Sequence, residues 1–195
     1  AEVNLGGTAI GTGLLAPGEY RAAVVPELAA ITGLPLVPCA DLIESSWDTG
    51  AFVLFSGLLK RTATKLSKIA NDLRLLSSGP RGGLGEISLP AMQPGSSIMP
   101  GKVIGADLTV TLAAEAGQLQ LNAFEPVIAY NLLTSITLLT RGATALATLC
   151  VAGITANPDR CRDHLDRSTA RITAMVPEIG YARAAERAKA MLGNG

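Results

Sequence analysis

The sequence predicts an all-α protein: a bundle of long helices with a small helical domain at its C-terminal end. Three observations point there. Apolar residues make up 48% of the chain but aromatics only 4%, so the core must be filled by Ala, Leu, Ile and Val, residues that pack well between helices. Apolar positions from Phe52 to Leu76 recur at alternating spacings of three and four, the seam of a bundle helix. Between Val103 and Thr155 only Asp107, Glu115, Glu125 and Arg141 carry charge, as expected of helices covered on most sides.

Each element follows from local signals. Asn4 to Leu14, "NLGGTAIGTGL", is glycine-rich with no helical stripe and reads as a segment with close backbone contacts. Its Gly11-Thr12-Gly13 follows no strand and lacks a GKS/T ending, so packing is a better reading than a nucleotide loop. Pro17 to Gly33 predicts a helix with an acidic first turn and a glycine stop, interrupted or kinked at Pro26.

Asp48 or Thr49 can cap the next helix, which runs to Ser77 or Ser78. Its seam is Phe52, Phe55, Leu59, Leu66, Ile69, Leu73 and Leu76, with Thr62 in the same register, and Gly79-Pro80 ends it. Residues 81–103 read as one long loop punctuated by glycines and prolines, and a loop of that length inside a compact domain is usually functional. From Ile104 to Ile154 the pattern is helical again, bending or breaking near Gly117 to Pro126. "NPDRCRDHLDRSTARITAM" reads as one amphipathic helix opened by Asn157-Pro158, and Gly180 to Leu192 as another. The expected organisation is a central helical-bundle domain over 1–156, carrying the loop 81–103, and a small C-terminal helical domain over 157–195.

Composition excludes several functions. Lys+Arg and Asp+Glu both number 16, so no basic face points to nucleic acid. The uncharged run Pro126–Thr140 is too short to span a bilayer, and Gly142–Pro158 is diluted by Thr, Gly and Asn without an aromatic belt. Membrane insertion is therefore not expected. A mean hydropathy of +0.36 instead predicts surface hidden in an oligomer. Cys39, Cys150 and Cys161 are odd in number and lack CxxC spacing, and the single histidine is His164. No metal site is predicted, and free thiols fit a cytoplasmic location. Ala1 to Leu15 has no basic start, and the opening "AEVNLGG" without Met reads as the interior of a longer polypeptide.

The chemistry concentrates in "PGSSIMPGKV", Pro94 to Val103. Two adjacent hydroxyls, an ammonium and several backbone N–H groups on a glycine-hinged segment can hold a carboxylate and stabilise a second developing charge. No histidine is near enough in sequence to activate a serine. His164 lies in a charged helix and reads as a surface residue. A serine base here would need neighbouring amides and the lysine to stabilise its alkoxide.

These residues resemble a known family. "GSSIMPGKV" is similar to the signature loop of the fumarase/aspartase superfamily, GSSxMPxKxN. So are "NLGGTAIGTGL", the stretch from Trp47 to Ser97, "GQLQLNAFEPVIAYNLL", "GITANPDRC" and "IGYARAAERAKA", in the expected order along the whole chain. "LPAMQPGSS" and "LAAEAGQLQLNAFEPV" resemble aspartate ammonia-lyases more than fumarases, which usually carry an ENE-type sequence before the loop. The resemblance implies a homotetramer around a twenty-helix core, no organic cofactor, and a small dicarboxylate substrate; it leaves activation by a divalent cation open. It implies that Ser96 is the catalytic base, that Ser97, Lys102 and Val103 bind substrate, and that Gly95, Met99, Pro100 and Gly101 scaffold the loop. The reaction implied is reversible elimination of ammonia from L-aspartate to give fumarate.

The match has a break. After Lys102-Val103 the family continues through Asn-Pro into a long helix, whereas "IGADLTV" follows here and resembles sequence further along that helix. Roughly four helical turns are absent, and the family's asparagine beside the lysine goes with them. The family's N-terminal part, with its threonine-histidine pair, is also missing before Ala1. Three explanations compete: residues omitted from a longer protein, a real fragment, or a degenerate relative. Three functions compete with them: an aspartate lyase subunit or fragment, inactive alone; a fumarate hydratase or other fumarate-forming lyase; and a non-catalytic structural homologue.

Overall fold

A computed structural model describes residues 1–79, 82–91 and 99–192. The chain is mostly helical, as expected, with eight α-helices and four two-residue strands among the described residues. It divides into two compact units, one of residues 1–67 and 95–144 and the other of 68–94 and 145–195.

In the first unit, β1 (Glu2–Val3) pairs in parallel with β2 (Val37–Pro38), and helix α1 (Gly18–Thr32) lies between them in sequence. Gly33 ends α1 in the left-handed conformation at φ 68°, its N–H donating to Ala29 O, the C-terminal signal that glycine serves best. The glycine-rich segment before α1 is held by close packing. A Cβ on Gly11 would lie 2.1 Å from Leu42 O, so only glycine fits.

Helix α2 (Gly50–Leu76) is the long element the heptad spacing predicts. Asp48 Oδ1 accepts from Gly50 N at 2.8 Å at its start. The predicted seam is offset from the face that packs within the chain. Ser56 and Ala63 are buried, while Phe52 and Phe55 remain 47% and 42% exposed. Small residues let α2 approach its own neighbours closely, while Phe52 and Phe55 project away from that contact. Helix α3 (Met99–Glu115) carries a buried stripe of Val103, Asp107, Val110 and Ala113. Val110 and Ala113 form the core with Ile128 and Leu132 of α4 (Glu125–Ala145), and Val53 and Leu59 of α2 pack against it.

The expected break between the apolar helices is real. Asn122, only 3% exposed, donates from Nδ2 to Ala113 O (3.0 Å) and Ala114 O (3.2 Å), satisfying carbonyls that the end of α3 leaves without helical partners. Beyond the break, α4 runs on through a π turn (Leu146–Cys150) and a 3-10 turn (Val151–Gly153). The two uncharged runs thus join into a helical stretch, Glu125–Gly153, long and apolar enough by length and composition to cross a membrane.

In the second unit, β3 (Ile87–Ser88) pairs antiparallel with β4 (Thr155–Ala156), so part of the expected loop is ordered by a partner far along the chain. Four helices follow: α5 (Pro158–Arg167), α6 (Ala170–Ala174), α7 (Val176–Ile179) and α8 (Tyr181–Leu192). The single helix expected over 157–175 breaks at Ser168, which is extended at ψ 153°. Its Oγ accepts from Ala170 N at 3.3 Å, a local bond that competes with helix continuation.

Candidate functional site

Gly95, Ser96 and Ser97 lie outside the described residues. Met99, Pro100, Gly101, Lys102 and Val103, expected on the loop, instead open helix α3. Pro100 and Gly101 read as helix breakers, but proline is preformed for the first helical turn, where its missing N–H is not needed. Val103 is 2% exposed and continues into the buried stripe of α3. Lys102, one position earlier and about 100° around the helix, is exposed and makes no ion pair with any described residue. The first turn of a 17-residue helix supplies N–H groups without helical acceptors and the positive end of the dipole. With the Lys102 ammonium, that is chemistry suited to an anion.

The segment leading toward the loop is tied down by residues whose role the sequence reading did not recognise. Four consecutive carbonyls, Gly83 to Glu86, accept from one short stretch at the start of α5. Arg160 donates from Nη2 to Gly83 O (3.2 Å) and from Nε to Leu84 O (3.1 Å). Asn157 donates from Nδ2 to Gly85 O (2.9 Å) and from its backbone N to Glu86 O (2.8 Å), and Cys161 Sγ lies 3.5 Å from the same oxygen. Ser88 Oγ donates to Asn157 Oδ1 at 3.2 Å.

His164 belongs to this cluster too. Its Nδ1 is 2.8 Å from Glu86 Oε1, with side chains 27% and 29% exposed, so it is half-covered and engaged. The signal available in sequence was the motif "GITANPDRC", whose asparagine and arginine are these donors. A cleft of about 710 Å³ lies beside them, lined by Ser77, Ile87, Ser88, Asn157, Asp159 and Arg160 among others. Among the described residues no cluster of His, Cys, Asp and Glu could hold a metal ion, and Cys39, Cys150 and Cys161 are free thiols.

Comparison with known proteins adds the following. The family model described as Lyase matches residues 1–116. The aspartate ammonia-lyase of Pseudomonas canavaninivorans is 57% identical over 209 positions, covering 100% of this chain and 44% of that protein. Since this chain has 195 residues against those 209 positions, at least 14 have no counterpart here, about four turns of helix. A solved structure of fumarate lyase:delta crystallin from Brucella melitensis bound to cobalt is 59% identical with a TM-score of 0.89, over 100% of this chain and 45% of that one. The class II fumarase of Schistosoma mansoni is 32% identical with a TM-score of 0.84, over 95% of this chain and 45% of its own. The chain therefore spans less than half the length of these relatives.

Proposed function

Because the chain belongs to the lyase family, we propose that it is part of an enzyme that converts L-aspartate reversibly to fumarate and ammonia. The observation carrying this reading is 57% identity along the entire chain to a protein named aspartate ammonia-lyase. Ser96, as an alkoxide, takes a proton from the carbon beside the β-carboxylate. The electron pair left behind passes into that carboxylate as an enediolate. Amides of the loop and of the first turn through Val103, the Ser97 hydroxyl and the Lys102 ammonium bind the added charge. The pair then returns to form the carbon–carbon double bond as the carbon–nitrogen bond breaks and ammonia departs with its electrons. Gly95, Met99, Pro100 and Gly101 shape the segment that brings these groups together. No organic cofactor takes part in this scheme.

The working form in this proposal is a cytoplasmic homotetramer. Its support is the apolar surface of α2, α3 and α4 that this chain alone leaves uncovered: Leu54 is 70% exposed, Leu108 61% and Leu133 65%. Such faces need partner helices. The three free thiols support a reducing compartment.

The test uses the intact polypeptide that contains this chain. It should generate fumarate, seen by ultraviolet absorbance, from L-aspartate, and Ser96→Ala should abolish this while assembly is retained. Undiminished turnover in that variant removes Ser96 from its role. The fumarase likeness favours a second reading, hydration of fumarate, and turnover of malate but not aspartate would select it. Correct assembly without turnover or any dicarboxylate-dependent rise in Tm would leave only a structural role.

A further inference from the structure

We propose that Lys60 and Asp107 are positioning residues for the Lys102 ammonium, holding α3 in one register against α2. This rests on the function proposed above, in which Lys102 binds the developing charge. Lys60 Nζ donates to Asp107 Oδ2 at 2.6 Å. Among the described residues that contact is the sole side-chain hydrogen bond or ion pair between the two helices. Lys60, Lys102 and Asp107 all belong to the first compact unit. Lys102 and Asp107 share one continuous helix, five residues and about 7.5 Å of axis apart. What fixes Asp107 along α2 therefore fixes the head of α3.

A carboxylate as covered as that of Asp107, 10% exposed, is a poor source of stability. Taking the charges out of water offsets most of their attraction, and the best-attested effect of such a pair is to select one packing register. The contact needs such a device. The buried residues of α2 are Ser56 and Ala63, side chains too small to stop a neighbouring helix from sliding by one turn, about 5.4 Å. The apolar cluster joined by Val53 and Leu59 lies at Val110 and Ala113, on the C-terminal side of Asp107. Nearer the head of α3, Val103 is buried, but a valine accepts any apolar neighbour equally well.

A slide of one turn would bring Val103 or Thr111, four residues either side of Asp107, opposite Lys60. The carboxylate would then be buried without its cation, which is strongly disfavoured. Apolar residues tolerate the shift and the charge does not. The chemistry is sensitive to the same shift, because misplacing a reacting group by about 1 Å can cost on the order of a hundredfold in rate.

In the intact protein, Lys60→Met combined with Asp107→Leu removes both charges and leaves an apolar contact. This double variant should assemble and melt close to the parent, because no buried charge is stranded. Its kcat for aspartate deamination should still fall by about tenfold or more. A merely structural pair would let Tm and kcat recover together. Adding Lys102→Met tests the route: the triple variant should be as slow as Lys102→Met alone, to within about twofold. Hydrogen exchange at the amides of residues 103–107 should be faster in the double variant. The proposal is overturned if the double variant keeps the parent's kcat. It is equally overturned if the triple variant is slower than Lys102→Met by the factor that separates the double variant from the parent. If the unaltered protein fails to deaminate aspartate, the function proposed above fails, and exchange at 103–107 alone decides whether the pair holds the head of α3. Faster exchange then upholds it and unchanged exchange ends it. Should the double variant not assemble, Asp107→Asn, which keeps the shape and loses the charge, takes its place under the same readouts.

Discussion

Asn122 Nδ2 reaches two carbonyls at once, Ala113 O at 3.0 Å and Ala114 O at 3.2 Å, while its Oδ1 accepts from Phe124 N at 2.8 Å. One buried side chain thus closes the end of α3 and sets the first backbone bond of the approach to α4. Replacement by alanine removes all three bonds and leaves buried acceptors empty, a loss of about 2–3 kcal/mol. Replacement by aspartate should be worse, because a carboxylate has no N–H to offer and would face the negative end of a helix. Urea unfolding of the two variants checks the order. Equal stability of Asn122→Ala and the parent would refute this account of the turn.

Lys60 and Asp107 tie α2 to α3. The ammonium lies 2.6 Å from Oδ2, and the aspartate side chain is 10% exposed against 47% for the lysine. The pair sits on the stripe that buries Val103 and Val110, so its partners are unequal: the acid is committed and the base is half in water. Lys60→Met should therefore cost about 1–3 kcal/mol, mainly by stranding the carboxylate. Lys60→Met combined with Asp107→Leu should recover most of that loss. A double-mutant cycle reads the coupling directly, and additive losses would contradict it.

At Gly11 the backbone has φ +82°, and a Cβ would meet Leu42 O at 2.1 Å and Ile43 Cα at 2.4 Å. Both atoms are main chain and cannot swing aside. Gly11→Ala should cost at least about 3 kcal/mol, combining positive-φ strain with a backbone collision. The expected readout is loss of soluble assembled protein or a large fall in Tm. Normal Tm would mean that the segment 4–14 is not packed as described.

What local pattern could reveal in this chain was helix, and what it missed was pairing at a distance. The spacing of Phe52 to Leu76 announces α2, and the dearth of charge after Val103 announces α3 and α4. Yet the face of α2 that packs within the chain is lined by Ser56 and Ala63, which carry no periodic hydrophobic signal. The start of α3 was hidden because Pro100 and Gly101 read as breakers. The stem of the loop owes its order to Thr155–Ala156 and to Arg160, whose bond to Gly83 spans 77 residues. Nothing within a window of residues 81–91 encodes such a partner. The loop's serines were legible only through resemblance, and Lys102 gains from the structure a definite place, on the exposed side of a helix whose next residue is buried.

That placement separates chemistry from stability on a single helix. Val110, 0% exposed, lies two turns beyond Lys102 and belongs to the core. Val110→Ala should lower stability by about 2 kcal/mol while leaving kcat/KM of the folded, intact enzyme within about twofold. Lys102→Met should do the reverse. Its side chain is exposed and unpaired among the described residues, so stability should move by less than about 0.5 kcal/mol. If Lys102 holds the enediolate as proposed above, its loss should cut kcat/KM on aspartate by about 10²–10³-fold. Lys102→Arg keeps the charge but displaces it, and should fall between the two. Parallel Tm and steady-state measurements on the three variants test the separation. A Lys102→Met enzyme with full turnover would mean that some other cation holds the charge. In that case the ammonium at the head of α3 would be an exposed charge with no part in holding the substrate.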